Sequence, residues 1–131
     1  MTLNSLKLPL FCVLSTLLFP TLANASAETD TKDTAPAYYI AEFVVHNADS
    51  IKPYSAKVLS TMELFGGEFT VRRGKVANLE GADVEGGIVM IKFPSMEKAL
   101  GWYNSPEYSE IKPIRHSSAT TRAYIVEGAL E

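Results

Sequence analysis

Arg115 and His116 stand side by side two residues after Pro113, where a helix must end or bend and can turn its side chains toward a cleft. An imidazole placed there can act as a general base near neutral pH, and a guanidinium beside it can anchor a ligand or the structure. A histidine near a helix end equally satisfies the helix dipole from the surface. Arg72 follows a strand-like segment. Its planar fork suits a carboxylate or an enolate held by paired hydrogen bonds, or an acid of the chain such as Glu80. The adjacent Arg73 reads as solvated. Tyr54, Trp102, Tyr103 and Tyr108 fall at helical positions, where rings pack on a sheet and polar tips can line a pocket.

Other chemistries lack their residues. His46 and His116 are the only histidines, no H-x-x-x-H pair occurs, and Cys12 is the only cysteine, so neither a metal site nor any other cofactor is expected. A haem would need an axial ligand, and His116 is the one candidate for it. Gly86-Gly87 leads into a strand, the wrong context for a phosphate loop, and no Ser-His-Asp arrangement is supported.

The N-terminal segment carries the three parts of a signal peptide in order: Lys7, an apolar stretch over 8–22, and the small-x-small pattern Ala23-Asn24-Ala25. Cleavage is expected after Ala25, with periplasmic or secreted location and no membrane contact afterwards, because the apolar stretch is short of the roughly 20 residues a span requires. Export removes Cys12, leaving no disulfide or thiolate chemistry. It also removes Lys7, leaving eleven basic against fifteen acidic residues and setting nucleic acid aside as a partner. Residues 26–36 are polar and without hydrophobic period, a flexible tether, and 37–131 form one domain.

That domain must supply the elements that position the candidates. Residues 37–46 are rich in β-branched and aromatic types and read as a first strand. Over 50–65, Ile51, Tyr54, Val58, Met62 and Phe65 recur at helical spacing, with Asn47 and Asp49 as cap oxygens and Gly66-Gly67 as the stop. A second strand over 68–71 is expected to resume past Gly74 at 76–79, and 87–94 is a third. Ser95 caps a helix with Met96, Leu100 and Tyr103 on its apolar face. Ser105-Pro106-Glu107 starts another helix, which Pro113 should end or kink, and 120–127 is the last strand.

The resulting order, β-α-β-β-α-β, predicts an α+β ferredoxin-like fold with a four-stranded antiparallel sheet covered by helices on one face. Its strands are apolar on both faces. Tyr38, Ile40 and Val44 oppose Tyr39, Ala41, Phe43 and Val45, and Ile88 and Met90 oppose Val89, Ile91 and Phe93. An uncovered apolar sheet face predicts a homodimer packed sheet to sheet.

Tyr54, Gly66-Gly67 with Arg72 after it, Glu80-Gly81, Phe93-Pro94-Ser95, the stretch from Trp102 to Tyr108 (WYNSPEY), Lys112-Pro113-Ile114-Arg115-His116, and Ile125-Val126-Glu127-Gly128 form a pattern. It resembles domain-of-unknown-function family thirteen-thirty, a branch of the dimeric α/β-barrel superfamily. The resemblance implies a ferredoxin-like protomer and a dimer whose two sheets form a barrel. It also places Tyr54, Arg72 and Tyr108 at positions the family pattern retains. The superfamily hosts cofactor-free monooxygenases, isomerases, haem-dependent enzymes and ligand sensors, so it implies no single activity. The leader departs from relatives that are commonly short and cytosolic.

The expected function is binding of a small organic molecule in a pocket between sheet and helices, lined by Tyr54, Arg72, Tyr108 and Arg115. As a cofactor-independent enzyme the site would use His116 to move a proton. The alternative is a non-catalytic dimeric interaction or stress-related protein of the cell envelope.

Overall fold

The computed structural model describes residues 34–130. The expected signal peptide (1–25) and residues 26–33 of the expected tether lie outside the described residues. Strand β1 (Ala37–Val45) is flanked by β3 (Gly87–Phe93) and β4 (Ala119–Glu127), and β2 (Glu68–Arg72) pairs with the far side of β3. The antiparallel order β2-β3-β1-β4, with α1 (Lys52–Glu63) between β1 and β2, is the expected ferredoxin-like arrangement. Two further helices, α2 (Met96–Tyr103) and α3 (Pro106–Ser118), join β3 to β4.

Alternation along β1 decides which face is the core. Ala37, Tyr39, Ala41 and Phe43 are buried beneath the helices together with Ile91 and Phe93 of β3. Register places Ile40 between Met90 and Tyr124, and Tyr38 between Lys92 and Val126, on the opposite face. There Ile40, Val44, Ile88 and Met90 are half-buried, and Tyr124 and Val126 are exposed.

Helix α1 buries Tyr54, Val58 and Met62, three of the five positions its period selects, with Ile51 buried just before it. Asn47 acts one turn early: its Oδ1 accepts from the Asp49 and Ser50 amides at 3.0 Å each. Gly66, at φ +71, closes the helix, and the Gly67 amide donates to the Met62 carbonyl at 2.9 Å.

Three expectations are corrected. Pro113 neither ends nor splits α3, because its ring lies on the exposed side while Tyr108, Ile111, Arg115 and Ser118 form a buried stripe that holds the helix to the core. Arg115 and His116 therefore sit in the last turn of a helix. Helix α2 buries Ala99 and Trp102, whereas Leu100 lies in an open groove beside Tyr124 and Ile125 of β4. The second strand does not resume at 76–79: Arg73 turns the backbone at φ 54, and Leu79 is 91 % exposed with no sheet to pack on.

Candidate functional site

A cavity of about 70 Å³ lies between α1 and the helix-facing side of the sheet. Phe43 and Tyr39 from β1, Tyr54 and Val58 from α1, Phe69 from β2 and Ile91 from β3 wall it with mostly apolar surface. Arg72 and Arg73 complete the lining. The Arg72 guanidinium stands 4.8 Å from the Phe69 ring centre, and no ion pair among the described residues joins it to Glu80. The Arg73 side chain is exposed, as expected, and packs over Gly87, while its backbone N–H donates to the Ile88 carbonyl at 2.7 Å.

Behind Tyr39 and Tyr54 the core is aromatic. Trp102 lies 4.1 Å from Tyr108 and 5.1 Å from Tyr39 between ring centres, and its Nε1 donates to Thr61 Oγ1 at 3.1 Å. The Tyr54 and Tyr108 hydroxyls are 3.4 Å apart. Lys112 caps this cluster, its Nζ 3.9 Å above the Tyr103 ring and donating to the Tyr103 carbonyl at 2.8 Å. Burial, and then the neighbouring Tyr108 hydroxyl, push the Tyr39 and Tyr54 phenols far above their ordinary value against a smaller opposing pull from Arg115. Both remain protonated hydrogen-bond donors at any physiological pH.

Arg115 is only 2 % exposed. One of its terminal nitrogens meets His116 Nε2 at 3.0 Å, and its guanidinium carbon is 5.9 Å from the Phe43 ring centre. Burial opposes its charge while the neighbouring Tyr108, Tyr39, Tyr54 and Tyr103 groups pull the other way and raise its pKa, but the protonated Tyr39 and Tyr54 phenols supply no counter-charge at physiological pH. His116 itself is exposed. Its pKa is lowered by partial desolvation and then by the Arg115 and Lys112 charges. The neutral ring can therefore accept from Arg115 through Nε2.

This fixes the sign of a pH effect. An unfolded imidazole titrates near 6.5 and the folded one below it. As pH falls through 6.5 the unfolded chain takes up a proton that the folded chain refuses, so stability drops and then levels off below the folded pKa. The melting temperature should show a shallow fall between pH 7.5 and 5 that His116→Gln removes; parallel profiles for the two proteins would contradict it.

Of the five sequence candidates, Tyr54 and Arg72 line the cavity, Tyr108 and Arg115 lie behind its inner wall, and His116 is outside it. Tyr39 was not among them. Its signal was present, since a tyrosine on the buried side of a central strand carries a hydroxyl that must find a partner. Among the described residues no cluster of metal-ligating side chains occurs, and His46 instead shares a 2.6 Å hydrogen bond with Thr120.

A family model described as a domain of unknown function, DUF1330, matches residues 36–129. No curated protein matches. The methylated RPA0582 protein has a TM-score of 0.60 at 15 % identity over 73 % of this chain and 82 % of that one. A second structure of RPA0582, a protein of unknown function from Rhodopseudomonas palustris, gives 0.57 at 14 % identity, covering 72 % and 83 %. SnoaB, a cofactor-independent oxygenase from Streptomyces nogalater, gives 0.52 at 10 % identity, covering 75 % of this chain and 97 % of that one. At these identities the likeness is one of fold, that of the dimeric α/β-barrel proteins.

Proposed function

The chain belongs to the DUF1330 family, and from that premise we propose that it binds a small organic molecule in the cavity beneath α1, as an exported homodimer. The observation that carries the reading is the cavity itself, an apolar recess with Tyr54 and Arg72 placed among its walls as polar groups able to orient a ligand. That SnoaB is a cofactor-independent oxygenase supports a pocket on this scaffold that works without a cofactor. In this reading His116 positions Arg115 through the 3.0 Å contact.

The dimer is supported by the apolar sheet face around Ile40, Val44, Ile88 and Met90, which no helix covers among the described residues. Its polar members pair across strands, as Arg122 and Glu42 do at 3.8 Å, which leaves the apolar centre available to a second copy. Export is supported by the order of Lys7, the apolar stretch and Ala23-Asn24-Ala25.

The test takes protein recovered from the periplasm of an expressing cell. Light scattering should return twice the mass of a chain cut after Ala25. A thermal-shift screen of small organic acids and quinone-like aromatics should yield a stabilising compound. Arg72→Ala, a surface change, should weaken that compound about tenfold or more, consistent with loss of a charge-assisted hydrogen bond, at unchanged melting temperature of the free protein. A monomer would refute the assembly. A screen in which nothing stabilises the protein would refute the pocket and favour the non-catalytic envelope protein.

A further inference from the structure

Arg115 is the only charged residue among the described ones that is buried, and its hydrogen bonding is incomplete. Its Nε–H has no acceptor, and no carboxylate among the described residues forms an ion pair with it. The Tyr39 hydroxyl, on a residue 1 % exposed, makes no hydrogen bond within 3.5 Å and has only the neighbouring Tyr108 hydroxyl to turn to. A buried cation needs a counter-charge, and a buried donor left without an acceptor destabilises the fold. Two such gaps in one aromatic cluster call for a common cause.

The chemistry of the gap follows from what surrounds it. Nε–H can only donate. The Tyr39 and Tyr54 phenols stay protonated, and the Tyr54 and Tyr108 hydroxyls already face each other at 3.4 Å. A phenol oxygen accepts as well as donates, so the call for negative charge comes from Arg115, a buried guanidinium with no carboxylate partner among the described residues. A single guanidinium balances one negative charge, so a monoanion fits better than a dianion such as phosphate.

We infer that the ligand is a small monocarboxylate with an apolar body, its carboxylate held by Arg115 Nε–H and Tyr39 O–H and its body lying in the cavity beneath α1. This rests on the pocket reading and adds the class of ligand. Tyr39, Phe43 and Tyr54 form the wall the two regions share: all three line the cavity, the Phe43 ring also faces Arg115, and the Tyr54 hydroxyl meets Tyr108, so a carboxylate reaches Arg115 only when these side chains move apart. The apolar walls from Val58, Phe69 and Ile91 would contact the ligand body. Arg72, at the cavity's exposed side, is a separate contact.

The experiment uses the mature protein with benzoate, its neutral isostere benzamide, and inorganic phosphate, read by calorimetry and thermal shift. Benzoate should bind at least tenfold more tightly than benzamide, and phosphate should not compete. Arg115→Met keeps much of the volume and removes the unbalanced charge, so it should fold with an equal or higher melting temperature and bind the two compounds alike. Tyr39→Phe, which deletes one oxygen, should weaken benzoate severalfold and benzamide less, because a carboxylate loses a charge-assisted hydrogen bond and an amide carbonyl a neutral one. It supplies the same reading if Arg115→Met does not fold. Equal binding of benzoate and benzamide to the wild type, or benzoate binding untouched by these variants, overturns the carboxylate assignment and leaves the pocket standing. Competition by phosphate overturns the monoanion assignment. If neither aromatic binds, water alone fills the gap; the carboxylate inference is then overturned, and the wider screen decides whether the pocket survives.

Discussion

Trp102→Ala is expected to lower the unfolding free energy by about 3–5 kcal/mol, the range for removing a large buried aromatic side chain. The residue is fully buried, and its ring packs against Tyr39, Phe93, Tyr103 and Tyr108 at once. Those partners come from β1, β3, α2 and α3, so a cavity at this point loosens the sheet and both helices that cross it. The Nε1 bond to Thr61 also ties α2 to α1. Thr61 still donates to the Val58 carbonyl at 2.8 Å, so its hydroxyl is not orphaned and the penalty is mainly one of packing. A domain of this size has about 5–15 kcal/mol in total, so a substantial share of the margin would go. Thermal unfolding followed by circular dichroism should show a midpoint lower by roughly 15 °C or more. Trp102→Phe should lose much less, since it keeps a ring. A loss below about 1 kcal/mol for the alanine variant would mean that the core is not centred on this residue.

What the sequence made legible follows from which interactions are local. The α1 period, the Ser95 and Ser105 caps and the alternation of β1 depend on neighbours within a few residues. The structure has all of them: Ser95 accepts from the Lys98 amide at 3.1 Å and Ser105 from that of Tyr108 at 3.2 Å. Pro113 misled because the lost amide bond is local whereas the buried stripe from Tyr108 to Ser118 is made by tertiary contacts. The strand expected at 76–79 failed for the complementary reason. Val76 and Leu79 have strand-like character, but Arg73 diverts the backbone at φ 54 before they can pair.

The candidate site was half legible on the same grounds. Tyr54, Arg72, Tyr108 and Arg115 could be nominated by residue type and by the family pattern, but their separation into a cavity wall and a buried cluster behind it depends on where three helices cross one sheet. The unsatisfied Tyr39 hydroxyl and Arg115 Nε–H are tertiary facts, invisible to composition or spacing. His116 illustrates the limit: its position beside Arg115 was readable, whereas its exposure and the direction of its pKa shift were not.

Gly86→Ala should be the most damaging of the single-methyl additions in the loop between β2 and β3. Gly86 sits at φ +78, a conformation that costs an L side chain about 1–2 kcal/mol. A methyl group there would also be driven into the Phe43 carbonyl oxygen, a backbone atom that cannot swing aside. Gly81 separates the two contributions, because it has nearly the same φ, +79, and nothing within 4 Å of the position its methyl would take. Gly81→Ala should therefore show the conformational cost alone, about 1 kcal/mol, and Gly86→Ala about 2–4 kcal/mol in urea unfolding. The steric part has a functional consequence. Phe43 pairs with Gly87 in the sheet, lines the cavity and faces Arg115, so moving its backbone disturbs the site from behind. Any ligand that stabilises the wild type should bind Gly86→Ala several-fold more weakly and Gly81→Ala with unchanged affinity. Equal stability of the two variants would show that β3 can shift to admit the methyl, and the close approach would then have no part in holding Phe43 where the cavity needs it.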